Sequence, residues 1–565
     1  MYNRFSLLII SVFIFPIIFA TEPETSDLSH QKITIDGTFE TGVVLSGKSI
    51  VPFWFTSRQE GRWGVKTTEQ FLTTAHVSLS KNLNNWNFLI DAELDYNTDL
   101  ASNSILNTKN YLHHGFLKID CYFLNLTLGR HKFSPIFEEE YYGSGSYLFG
   151  DNFRPMDRIT ASIPEYTKIP FTFGRIEIRG GITHAKLDDT NSIFTSLSDV
   201  NYFHKDVLLH EKYAYLRADV GKWKPYFGFL HSALMGGHDG YGRKIPIDYW
   251  NSFFAKSSDT IGGGDATNAA GAHMGMYDIG IYTTHNFGNI HFYYQKPFSD
   301  GSGMTFLRWN KKGFSIFKNN KDQIVGLNMN FKNIKWLTNL TVEWINTKYQ
   351  SGLGTPDPVY QNINGETKTI SSTTLKQLDL NKFMKDEFGI DGQFSFDDVW
   401  EYLQNSFNKG YEYGGRDGYM SNYAYLGGWT FDGMIMGSPL NLTRDQIAHL
   451  NPNLGTYNRN YIINDRFRAF HIGGKGNIND YLIWKVMFTF SVNWGSYFNE
   501  YPGRYTWERT ENYFFDGGLK QFYSMIGIEW NPKNLSKLTL KSDFALDKGD
   551  IFNNFGAKIG VVWGF

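Results

Sequence analysis

Glu138, Glu139 and Glu140 stand close to His131 in this chain. Two carboxylates flanking a bond are what a glycosidase needs, so this run is the first candidate for chemistry. Successive residues on an extended segment point apart, and three in a row make a poor pair. The run reads as an acidic loop, solvated or paired with Arg. The histidines, among them His113, His114, His231 and His238, show no two-His spacing on a helix-patterned segment, so no zinc motif is present. There is no G-x-S-x-G elbow and no P-loop, and G-G-G-D (Gly262 to Asp265) reads as a turn. Cys121 is the single cysteine, which rules out an internal disulfide or a Cys-based metal cluster. The expectation is a protein that is not an enzyme and carries no cofactor and no metal.

A second set of residues suits binding without reaction. Sugars are held by aromatic faces stacked on their C–H-rich sides and by planar groups that hydrogen-bond hydroxyls. Trp54, Arg58, Arg243, Trp250, Arg416, Trp429, Arg504 and Trp507 are the candidate polysaccharide contacts, all in segments between strand patterns, with Trp63, Asp417 and Arg509 nearby. Arg also grips carboxylates through two parallel hydrogen bonds, which suits uronic acids. The same aromatics could equally pack a loop plug or an interfacial girdle. Arg175, Glu177 and Arg179 alternate along one strand pattern, and Arg217 and Asp219 along another. Lipid cannot take such a charged face, but a barrel lumen can.

The elements that must position these residues are strands. Leu482, Trp484, Val486, Phe488, Phe490, Val492 and Trp494 share one face of a period-two segment, with polar or small residues between them. Phe522 to Trp530, Leu538 to Leu546, Trp86 to Asp95 and Gly174 to Ile182 repeat the alternation, and Gln31 to Val44 also reads as strand. The last eleven residues, F-G-A-K-I-G-V-V-W-G-F, alternate and finish on Phe565, in the manner of the closing strand of bacterial outer-membrane barrels. Residues 1–20 read as a cleaved signal peptide: Arg4, the apolar run Phe5 to Phe19, then Ala20. No later apolar stretch is long enough to cross a bilayer as a helix, roughly twenty residues. A mean hydropathy of −0.36 excludes a helical membrane protein but not a barrel. Aromatics at 17% and 56 glycines fit aromatic girdles and Gly-rich strands. The net charge of −2 comes without any basic stripe, which argues against nucleic acid as a partner.

Connection lengths alternate. Short turns are expected at Lys81–Asn85, Val220–Lys222, His285–Gly288, Lys332–Lys335, Asn477–Asp480 and Asn531–Leu535, with long connections between them. The expected fold is therefore all-β, one transmembrane antiparallel barrel over residues 21–565 with about eighteen strands, short turns in the periplasm and long extracellular loops containing short helices. Residues 350–464 form the largest loop. Within it Ser395 to Phe407 reads as a helix: Ser395 caps it, Asp397 and Asp398 favour its first turn, and Phe396, Val399, Trp400, Leu403 and Phe407 make a packing stripe.

A set of loop motifs runs in order along the chain: P-F-W-F-T-S (Pro52 to Ser57), G-R-H-K-F (Gly129 to Phe133), G-S-G-S (Gly143 to Ser146), F-R-P (Phe153 to Pro155), L-L-H-E-K (Leu208 to Lys212), L-H-S-A-L-M-G-G (Leu230 to Gly237), S-N-Y-A-Y-L-G-G-W-T-F-D-G (Ser421 to Gly433) and I-M-G-S-P-L (Ile435 to Leu440). In this order they resemble the capsule assembly Wzi family of outer-membrane proteins, in the form found in Bacteroidetes-type bacteria. The resemblance implies an eighteen-stranded barrel that acts as a surface lectin, binding capsular polysaccharide and keeping it on the cell. Its expected surroundings are outer-membrane lipid and, for insertion, the barrel assembly machinery. The alternative reading of the residues is a porin-like channel for ions or oligosaccharides, lined by Arg175, Glu177, Arg179, Arg217 and Asp219.

Overall fold

The computed structural model describes residues 33–565 apart from 48–49, 67, 84, 101–108, 137–140, 190–201, 262–268, 300–303, 305–306, 311–312, 317–319, 351–357, 371, 408–417, 448–449, 451–459 and 501–509. The barrel begins with strands β1 (Thr34–Ser46), β2 (Glu69–Leu83), β3 (Trp86–Asp99), β4 (Lys109–Cys121), β5 (Leu124–His131) and β6 (Met156–Lys168). It continues with β7 (Ile176–Leu187), β8 (Val207–Ala218), β9 (Trp223–Met235), β10 (Ala272–His285), β11 (Gly288–Phe298) and β12 (Gln323–Phe331). It finishes with β13 (Asn339–Asn346), β14 (Phe467–Asn479), β15 (Leu482–Asn493), β16 (Leu519–Trp530), β17 (Leu538–Gly549) and β18 (Asn554–Gly564). All eighteen form one antiparallel sheet, each strand paired with its neighbours in the chain. β18 pairs with β17 and also with β1, with Phe39 opposite Trp563 and Leu45 opposite Ala557. The sheet is thus closed and has no edge, which is what allows strands to cross a bilayer with every backbone group satisfied.

Alternation decides which side of the wall each residue meets. Ile90, Ile159, Leu216, Phe470, Ile526, Phe544 and Ile559 are exposed on the outer face. Trp86, Trp223, Trp336, Trp530 and Trp563 stand exposed near the short-turn end, the position of an interfacial aromatic girdle. Inward positions are polar and buried. Glu177 and Arg179 point into the lumen, Glu177 accepting from Arg217 Nε at 2.7 Å across the β7–β8 pair. Arg175 precedes β7 and is exposed in the turn, because the strand begins at Ile176. On the opposite wall Lys485 lies 3.3 Å from Glu529 and 3.1 Å from Asp543, and Lys558 3.4 Å from Asp543.

All the expected short turns fall at one end, together with those after β4 and β6. The other end carries the long connections with one exception: β17 and β18 are joined by residues 550–553 alone. The space above that hairpin is taken by the β1–β2 connection, where Asn554 donates to Ile50 O and Ser46 Oγ lies 3.2 Å from Asn554 Oδ1. The longest connection, residues 347–466, holds a small separate core of Tyr360, Leu375, Phe383, Met384, Val399 and Leu403. Its helix Phe396–Phe407 is capped as expected: Asp398 N–H donates to Ser395 Oγ at 3.3 Å, and Ser395 N–H to Asp398 Oδ2 at 2.9 Å.

Candidate functional site

Three connections fold into the long-loop end of the lumen rather than away from it. The first follows β1. Phe53, Trp54 and Phe55 are three consecutive aromatics, and only the lumen offers them burial. Phe53 stacks on Tyr523 of β16 at 4.1 Å between ring centroids, and its N–H donates to Asp547 of β17 at 2.9 Å. Trp54 packs against His471 of β14. Positive φ at Arg58, Glu60 and Gly61 then turns the chain back toward the far wall. There a β-bulge in the β3–β4 pairing next to Leu94 leaves His113 and His114 both facing inward. Glu60 Oε2 lies 3.3 Å from His113 Nε2 and 3.1 Å from His114 Nε2, and its Oε1 accepts from Lys132 at 3.3 Å. Arg62 pairs with Glu93 of β3. Burial alone would raise the Glu60 carboxyl, but the two histidine hydrogen bonds and the charges of Lys132 and Arg62 outweigh it and hold it well below the usual range.

The second connection, residues 132–155, lies across the first. Arg58 Nη1 donates to Gly143 O at 2.7 Å and Tyr141 O at 3.2 Å, and Arg58 N–H to Asn152 Oδ1 at 2.9 Å. Glu343 of β13 pins this segment to the wall: it accepts from Ser144 N–H at 2.6 Å, from Tyr293 OH of β11 at 2.5 Å and from Tyr141 OH. Beside it His471 Nε2 lies 2.8 Å from Tyr142 O. A Cβ at Gly473 would stand 1.8 Å from that carbonyl oxygen, so the wall needs glycine where the plug backbone touches it. The third, through its residues 418–447, closes over both. Gly150 N–H donates to Met436 O at 2.7 Å, Trp429 Nε1 to Leu148 O at 3.4 Å, and Tyr419 OH to Asp322 at 2.7 Å.

Together the three segments span the lumen from β3–β4 on one side to β13–β17 on the other. The anticipated sugar-contact residues divide accordingly. Trp54 (1% exposed), Arg58 and Trp429 (3%) all belong to this plug, each on its own partners, with the two indoles packed rather than open. Arg243 sits 78% exposed at the rim, its Nε 2.7 Å from Asp239 Oδ2. Trp250 (66% exposed) lies on a helix, Tyr249–Phe253, that turns outward instead. Arg416, Arg504 and Trp507 lie outside the described residues, as do Glu138–Glu140 and Gly262–Asp265. Sequence reasoning missed Glu60, His113, His114 and Glu343. The H-H pair was visible, but only the bulge puts both on one face. Glu60, His113 and His114 place three ligand-type atoms within 4.8 Å of one another. Lys132 and Arg62 compensate the carboxylate, so the cluster acts as an ion-paired latch between plug and wall.

Fold and site define a transmembrane β-barrel whose mouth is filled by its own loops. No protein-family model matches the chain, and no curated protein matches it in sequence. Solved structures similar to it are outer-membrane barrels. One is Wzi of Escherichia coli, described as a carbohydrate-binding β-barrel involved in group 1 capsule assembly, with 11% identity, a TM-score of 0.46, and coverage of 93% of this chain and 83% of that one. Another is OccK5 (OpdH) of Pseudomonas aeruginosa, with 8% identity, a TM-score of 0.42, and coverage of 96% and 99%. A third is the outer membrane channel DcaP of Acinetobacter baumannii, with 8% identity, a TM-score of 0.35, and coverage of 96% and 99%. At these values the likeness is one of barrel architecture.

Proposed function

We propose that this protein is an outer-membrane surface lectin, exported through a cleaved signal peptide, that holds capsular polysaccharide at the loop-filled mouth without altering it. The observation that carries this reading is the plug. Loops tied to both walls oppose free passage of solutes and present a fixed surface at the long-loop end. What also supports it is where the family-like motifs fall. Pro52 to Ser57, Gly143 to Ser146, Ser421 to Gly433 and Ile435 to Leu440, far apart in sequence, all belong to the plug. In this reading Trp54, Arg58 and Trp429 hold the surface from beneath, and the glycan meets Arg243, Arg416, Arg504 and Trp507. Contacts with a repeating polymer are individually weak and gain by avidity.

Two measurements test it. Deleting the gene should release capsule into the medium without stopping its synthesis, and purified protein in a planar bilayer should stay closed. Unchanged cell-bound capsule together with a large steady conductance would replace the lectin with the channel. Hydrolysis products from added polysaccharide would replace it with an enzyme.

A further inference from the structure

The outer wall carries a feature that a lipid-facing surface does not ordinarily show. On β7 to β10 the outward positions nearer the short turns are apolar: Ile178, Leu216, Phe227 and Ile279. Toward the long-loop end the same faces carry His184, His210, Lys212, His231 and His273, with Lys212 directly opposite Ile182 and His231 in register. Bare hydrocarbon cannot accommodate this set. Residues 249–253 of the β9–β10 connection fold back over it. Tyr249 OH lies 3.0 Å from His184 Nε2, His184 Nε2 3.1 Å from His210 Nδ1, and His231 Nε2 3.1 Å from His273 Nδ1. Lys212 Nζ donates to Phe253 O and stands 3.5 Å from the centre of the Phe253 ring. The far side of this connection exposes Trp250, Phe254 and Ile247 beside Lys244 and Lys256. Aromatic and basic residues in one exposed patch are the composition of a segment that lies in an anionic bilayer interface.

Directly below Lys212 the wall is hollow. A cavity of about 450 Å³ is floored by Ala161, Gly180 and Ala214 and sided by Ile163, Ile182 and Phe229. Its shape follows from register: Gly180 faces Ala214 across one strand pair and Ile163 across the other, so two adjacent positions of one rung lack bulk while Ile163 and Phe229 at their flanks keep it. Lys212 stands at the long-loop end of the hollow. Its ammonium has three N–H groups and spends one on a backbone carbonyl, and among the described residues it has no carboxylate partner.

We propose that this groove binds one phosphorylated, acylated glycolipid of the leaflet at the long-loop end. An acyl chain lies along the Gly180–Ala214 floor, the phosphate meets Lys212, and Trp250 and Phe254 enter the interface over it. Among barrels of this kind the long loops are extracellular, which makes that leaflet the outer one. A lipid fits better than a second copy of the chain, because the groove is continuous with the lipid-facing wall and its rim is basic.

Native mass spectrometry of the full-length protein in mild detergent tests this. The probes are a phosphorylated acylated disaccharide (lipid A), its dephosphorylated form, and phosphatidylglycerol. Lipid A should bind one to one, and its affinity should fall about tenfold on dephosphorylation or in Lys212→Met, the loss of one charge-assisted contact. Ala214→Leu, which fills the floor and leaves the charge in place, should lower affinity for every acylated probe. Both variants should keep the heat-modifiable mobility of a folded barrel. Equal retention of lipid A by wild type and both folded variants, or by its two forms, would overturn the site. Preference for phosphatidylglycerol over lipid A would overturn the glycolipid assignment. A dimer that Trp250→Ser dissolves would overturn the lipid in favour of a second copy.

Discussion

Replacing Glu343 should loosen the plug without disturbing the barrel. Glu343 faces the lumen, and two of its three donors, Ser144 N–H and Tyr141 OH, belong to the second inward loop. In Glu343→Ala the docked loop keeps Ser144 N–H buried and unpaired and leaves Tyr141 OH the Tyr293 hydroxyl at 3.4 Å, whereas the undocked loop gives both to water. At roughly 1.5 kcal/mol for the unpaired N–H, docking weakens by about 1.5 kcal/mol, and the undocked population rises about tenfold. Glu343→Gln keeps one acceptor oxygen and should fall between. Two assays read the same equilibrium. In a planar bilayer, brief openings should become more frequent by that factor. In trypsin, cleavage after Lys132, at the start of the loop, should accelerate in parallel. If the folded alanine variant opens and is cleaved at wild-type rates, Glu343 is not what pins the loop, and the plug is held by packing alone.

Protons should act on the same loops. Burial pushes Asp322 up to about 6 and Asp465 up to about 7, so the docked loops hold protons that unfolded carboxyls release near pH 4. Their contribution to docking is complete below that value and is lost as pH rises through 6 and 7. Openings should therefore become more frequent from pH 4 to pH 7, and Asp465→Asn should flatten the rise; a profile that Asp465→Asn leaves unchanged would refute this. Ile559→Arg, at an exposed outward position of β18, should cost roughly 2–4 kcal/mol in a folding titration into lipid vesicles, and a cost near zero would place that residue away from the bilayer. Ser395→Ala should destabilise the start of the helix Phe396–Phe407 by about 1 kcal/mol, seen as faster amide exchange at residues 396–399 in the intact chain.

The barrel itself was legible because its signal is local. Leu482 to Trp494 alternates so regularly that the strand it forms, Leu482–Asn493, ends one residue short of the pattern. Each short turn announces itself by a break in that alternation. The helix after Ser395 was equally readable from its cap and its stripe. Where the loops go was not legible, since Phe53 to Phe55 and Trp250 to Phe254 are similar aromatic runs. One enters the lumen and the other lies on the outer wall, and only the surroundings at each strand end decide between them. On a regular strand the adjacent His113 and His114 would fall on opposite faces, and a single extra residue in β4 makes them partners.

A hoop of eighteen strands is easily flattened, because each hydrogen-bonded seam can hinge a little and the errors add around the circumference. The contacts of the inward loops run across the diameter, from Glu60 and Arg62 against β3 and β4 to Phe53, Trp54 and Ser144 against β13–β17. Such a cross-member works like the spoke of a wheel. It fixes the distance between opposite arcs and so sets how round the cross-section stays under lateral pressure from the surrounding membrane. Cutting it at either end should make the barrel more elliptical before it makes it less stable.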